Sequence, residues 1–219
     1  FWTRFAHQEG LMTPLETLGF ALGTSFASGL NLYAAVAAAG IFQRTGLIQL
    51  PDSLQILAHP IVMGVAVTLF IVEFIADKIP YVDSAWDALH TFIRPPAAAL
   101  LGYSAFGAVP EEWKLGAALL AGSVALTSHG AKATTRAAAN TSPEPVSNWA
   151  LSILEDGVSV FLVWMAAEHP LLTGLIVLVL VIIAVLLIRK LWRFARQLVQ
   201  QLRRGPAASR PGGLSQAGA

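Results

Sequence analysis

The chain has 219 residues, of which 55% are hydrophobic and only 12% charged, and its mean hydropathy is +0.63. A soluble domain carries roughly twice that charged share, so the composition excludes a disordered chain, a nucleic-acid-binding domain and an ordinary cytosolic enzyme, and implies an integral membrane protein. The absence of cysteine excludes disulfides, thiolate catalysis and thiolate metal sites.

The net charge of +1 averages two unlike regions. From Arg189 to the end there are seven Lys/Arg and no acid, whereas the first 188 residues hold seven bases against thirteen acids. No short apolar run with a small-residue cleavage site opens the chain, so no signal peptide is expected.

A helix needs about 20 mostly apolar residues to cross a bilayer core, and charge-poor stretches mark the spans. The first runs from Thr17 to Gln43, long enough to tilt or break, with Gly29 and Asn31 inside it. The second covers Leu57 to Ala76 and ends in Glu73 and Asp77. The third, Ser84 to Val109, carries Asp87, His90 and Arg94 and then Pro95-Pro96, which should kink or break it. The fourth runs from Trp113 to Ala139. The fifth, Val146 to Ala167, has Glu155-Asp156 near its centre, and the sixth, Leu171 to Ile188, is almost wholly aliphatic. The expected fold is an all-α bundle of about six transmembrane helices, some broken, over residues 1–188.

Residues 189–204 read as a basic amphipathic helix. Arg189, Lys190, Arg193, Arg196, Arg203 and Arg204 follow the sixth span at once, which places the C-terminus in the cytoplasm. Six spans then place the N-terminus, with Arg4, on the same side. The expected partner of Arg189–Arg204 is a layer of anionic lipid headgroups. The Pro/Gly/Ala/Ser-rich tail, 205–219, is expected to be disordered.

Residues at offsets 0, 4, 7 and 11 share one helix face. Asp83, Asp87, His90 and Arg94 have that spacing, as do Asn148, Ser152, Glu155 and Ser159, with Asp156 beside them. His129, Lys132, Arg136 and Asn140 fall at 0, 3, 7 and 11; Thr17, Thr24, Ser28 and Asn31 make a milder stripe. Buried charges cost at least a few kcal/mol each in hydrocarbon, so the stripes should turn toward a shared, water-accessible interior. Six acids (Glu73, Asp77, Asp83, Asp87, Glu155, Asp156) then face four bases (Lys78, Arg94, Lys132, Arg136). The surplus calls for protons, a cation, or protonated His90 and His129. Asp77, Lys78 and Asp83 could instead lie solvated at headgroup level, and Arg94 and Arg136 could serve packing alone.

Spans two–three and four–five echo each other weakly: Glu73-x-x-Ala76-Asp77-Lys78, Pro80 and Ser84-x-Trp86 against His129-x-Ala131-Lys132, Pro143/Pro145 and Ser147-x-Trp149. At the same stretches the sequence resembles a bacterial multi-pass membrane family known as the domain of unknown function numbered four-one-two-six. The resemblance rests on Ser28–Tyr33, Glu73–Pro96, His129–Pro145 and Ser147–Asp156, and covers about residues 15 to 168. It implies an integral membrane protein of bacteria, without an assigned activity or site residues; the basic flank of the sixth span points to the inner membrane.

Three functions fit these stripes. The first is a small ion- or proton-coupled transporter, with Glu73, Glu155 and Asp156 binding the coupling cation, Lys132 and Arg136 meeting an anionic group, and Ser28 and Asn31 supplying neutral ligands. Asp77, Asp87, His90, Arg94 and His129 complete the candidate site. The second is a non-catalytic subunit that binds another membrane protein. The third is an enzyme or flippase in which His90, Arg94, His129, Lys132 and Arg136 clamp a lipid phosphate, although HExxH, Walker and GxSxG motifs are absent. No cofactor is expected. Small-residue runs at Ala34–Gly40, Ala97–Gly102 and Ala117–Gly122 could serve homo-oligomers or internal packing.

Overall fold

The computed structural model describes residues 12–79, 81–107, 109–140 and 145–204. Arg4, residues 141–144 and the tail from 205 lie outside them. Among the described residues the fold is all-helical, without a strand.

Helix α1 (Pro14–Leu30) opens on a capping box: Thr13 accepts from the Glu16 amide at 3.3 Å, and Glu16 accepts from the Thr13 amide at 2.7 Å. It stops at Asn31, whose backbone is extended (φ −146°, ψ 103°). The same residue starts α2 (Leu32–Thr45), its Oδ1 accepting from the Ala34 amide at 2.9 Å. After Gly46, at φ 73°, a 3₁₀ turn (Asp52–Ala58) leads through a 64° bend into α3 (Pro60–Ala76). Helix α4 (Val82–His90) is short, and Arg94-Pro95-Pro96 begins α5 (Arg94–Ala105). The proline pair therefore occupies a helix start, where its missing donors cost nothing. Then come α6 (Glu111–Ala139), α7 (Pro145–Glu168) and α8 (Pro170–Arg204).

Helix α1 is the axis of the bundle, packed against α5, α6, α7 and α8. It runs antiparallel to α7: Ser159 donates to the Ala27 carbonyl, Gly23 faces Ala166, and Gly19 faces the Pro170 backbone. Helix α2 runs the other way, from Asn31 beside Asp156 to Phe42, which shares a groove with Val160 and Trp164. The first predicted span thus doubles back at Asn31 as a helical hairpin instead of crossing once. A charge-free run reads the same in either case.

Pro14, where α1 begins, lies at the Pro170 end of the bundle and Arg189 at the other. Two helical segments are long and apolar enough to cross a membrane, Asn148–Glu168 and Pro170–Gln197, and a third is if the 3₁₀ turn and α3 count as one. The third predicted span is divided between α4 and α5. Helix α6 has the length, but its polar stripe keeps it short of that apolarity.

The α8 helix carries the apolar and basic stretches as one rod. At 35 residues it is about 52 Å long and overshoots a hydrocarbon core of about 30 Å. Thr173, Val177 and Ala184 are buried, whereas Leu171, Leu175, Leu178, Ile182, Ile183 and Leu186 face outward, as a lipid-facing helix requires. The small-residue runs serve packing within the chain. Gly102 meets Ala117 and Ala121, Gly122 meets the Pro95 carbonyl, and Ala34, Ala35 and Ala37–Ala39 are buried. Such contacts let helix axes approach closely.

Candidate functional site

The polar stripes converge. Glu73, Asp77, Asp83, Asp87, His90, Arg94, His129, Lys132, Arg136, Glu155, Asp156 and Asn31 are all buried. Ile188 packs against Gly130, which sets the α6 stripe level with the point where α8 turns basic.

Three bases organise the cluster. Arg94 pairs with Glu73, donates from Nη1 to the Gly29 carbonyl at 2.9 Å, and lies 3.9 Å from Asp87. Lys132 reaches Glu73 at 3.0 Å, Asp77 at 3.3 Å and Glu155 at 3.6 Å. Arg136 reaches Glu155 at 2.6 Å, Asp77 at 2.8 Å and Asp83 at 3.1 Å. The α6 bases therefore neutralise acids brought by α3, α4 and α7. The two echoed units meet through opposite charges, although α4 breaks after nine residues while α7 continues for 24.

The fourth expected base stands apart. Lys78 donates to the Phe74 carbonyl at 2.8 Å and sits over the Phe74 ring. Six buried acids thus face three buried bases, a surplus of three if all are ionised. Glu73 Oε2, Asp77 Oδ1, Asp87 Oδ1 and Asp156 Oδ2 are buried without a hydrogen bond from the protein, as are Arg94 Nε and Ser152 Oγ.

His129 does not make up the difference. Arg94 Nη1 donates to His129 Nδ1 at 2.9 Å, so that nitrogen carries a lone pair. The proton sits on Nε2, 3.0 Å from the Asp87 carbonyl and 2.9 Å from the Thr91 hydroxyl. His129 is neutral. His90 donates from Nδ1 to the Trp86 carbonyl at 2.8 Å, and its Nε2 faces the Tyr33 hydroxyl at 3.0 Å. It borders the cluster and forms no ion pair among the described residues.

Ser28, expected as a neutral ligand, is committed elsewhere, donating to the Thr24 carbonyl of its own helix at 2.7 Å. Three residues outside the expected set belong to the site. Asp83 was legible as part of its stripe; Tyr33, buttressing His90, follows the Asn31 break; the Gly29 carbonyl, a backbone group, left no sequence signal. Among the described residues no three His, Asp or Glu side chains gather as a metal cage, because the bases lie between the acids.

The family model described as a domain of unknown function (DUF4126) matches residues 18–190. The chain belongs to the DUF4126 family. No curated protein and no solved structure matches it. The match takes in every helix that builds the cluster, and α8 up to its first two basic residues. With its apolar helices, this DUF4126 chain is a membrane protein.

Proposed function

We propose that this protein is a proton-coupled carrier of the bacterial inner membrane, with the buried cluster as its coupling site. The observation that supports the reading is the imbalance of six buried acids and three buried bases, with four carboxylate oxygens lacking a donor. Burying so many uncompensated charges is prohibitive, so protons fill the difference, and carboxylic acids that gain and lose protons are the usual coupling device in carriers. The interleaved bases disfavour a metal ion in that role. In this reading α3, α4–α5, α6, α7 and α8 cross the membrane, the α1–α2 hairpin is inserted from the outer side, and the basic end of α8 is cytoplasmic. A pH gradient imposed on proteoliposomes should drive proton flux that Glu155→Gln abolishes. Flux unchanged by that substitution, or none in the wild type with any solute, counts against it.

A second reading is a non-catalytic subunit, favoured by the density of the ion pairs and by the bare apolar face of α8. A stoichiometric partner in native purification would support it. The lipid-phosphate reading loses its clamp, because Arg94, Lys132 and Arg136 already contact carboxylates.

A further inference from the structure

Among the six acids, Asp156 stands alone. Five lie within 4.0 Å of a base. Asp156 forms no ion pair among the described residues; its Oδ1 accepts from Asn31 Nδ2 at 2.8 Å, and its Oδ2, in a residue only 8% exposed, has no partner. A neutral amide cannot offset a buried carboxylate charge. The groups that act on it electrostatically come from every side: Lys132 on α6, Glu73 and Asp77 at the end of α3, and Lys78 just beyond. Its own helix adds the neighbouring Glu155.

Its position is equally particular. Asn31 is the tip of the α1–α2 hairpin, and its other amide atom caps α2. Asp156 therefore sits against the positive end of the α2 helix dipole. On one side lies the ion-paired cluster. On the other lies an apolar surface groove between α2 and α7, lined by Phe42, Asp156, Gly157, Val160, Phe161 and Trp164, from which Oδ2 itself is shielded. The groove leads from Asp156 toward the Pro170 end of the bundle.

We infer that Asp156 is a proton-binding site, held by Asn31 at the hairpin tip. Uptake forms an O–H bond at the unpartnered Oδ2 at the expense of a hydronium ion, which becomes water. Release breaks the same bond and returns the proton to water. Between these steps Asn31 keeps its hydrogen bond to Oδ1. This rests on the proposed reading of the cluster as a proton site, and singles out the residue.

A lipid-soluble carbodiimide, which adds to a protonated carboxyl to give a stable N-acylurea, tests it on the full wild-type chain in liposomes. Fragment mass spectrometry should place the label on Asp156, with labelling falling steeply as pH rises. Sodium at constant pH should leave it unchanged. Label confined to Asp87 or Glu155, no label at Asp156, or protection by sodium would overturn the proton assignment. Labelling requires no transport, so a failure of the carrier reading in flux assays and a failure here are told apart.

Discussion

Arg94 closes the C-terminal end of α1, donating to the Gly29 carbonyl at 2.9 Å while its second nitrogen pairs with Glu73. The backbone at a helix end carries partial negative charge, and the hairpin tip immediately follows. One side chain thus ties the hairpin to α3 and, through His129, to α6. Arg94→Met should leave Glu73 with Lys132 alone and the Gly29 carbonyl without its donor, at about 3–5 kcal/mol. Unfolding in detergent checks the loss. Adding Glu73→Met should restore part of it, because the uncompensated charge is then gone.

Asn31 has two tasks, and truncation separates them. Asn31→Ala removes the α2 cap, worth about 1 kcal/mol, and takes from Asp156 its one donor. Hydrogen exchange should quicken at the Ala34 amide, while amides near Thr45 keep their protection. Equal protection at Ala34 would mean the side chain is not the cap.

Glycines divide into two kinds. A Cβ on Gly29 would collide with the Ser128 hydroxyl and the Ala125 backbone, whereas one on Gly116 meets nothing within 4 Å. Gly29→Ala should destabilise the bundle by several times the roughly 0.5–1 kcal/mol by which Gly116→Ala stabilises its helix. Thermal unfolding of the two variants side by side checks both signs.

The hairpin makes a topological prediction. The natural chain has no cysteine, so single cysteines report accessibility cleanly. Thr13→Cys and Lys190→Cys should react with an impermeant maleimide from opposite sides of the membrane. Reaction from the same side would restore a first segment that crosses once.

The site was more legible than the path of the chain. Stripes such as His129, Lys132 and Arg136 fall on one face by spacing alone, and burial cost forces them inward, so the cluster follows from periodicity. Asn31 and the proline pair were visible as breaks. What happens at a break was not: hydropathy carries no direction, and only the contacts of Gly19, Gly23 and Ala27 with α7 and α8 reveal that α1 and α2 fold back. The spacing also left His129 a possible cation. Its neutrality comes from Arg94 donating to Nδ1, a tertiary contact between residues 35 apart. Lys78 reads as a cluster base by sequence, but its ammonium bonds the Phe74 carbonyl and forms no ion pair among the described residues.

The claim beneath the proposed function is that protons neutralise the surplus of buried acids. Infrared absorption of protonated carboxyl groups, measured on the reconstituted protein at neutral pH, addresses it directly. The account predicts a carbonyl band of neutral carboxylic acid in the wild type, reduced by Asp87→Asn and again by Asp156→Asn. A wild-type spectrum with every carboxyl ionised would contradict it.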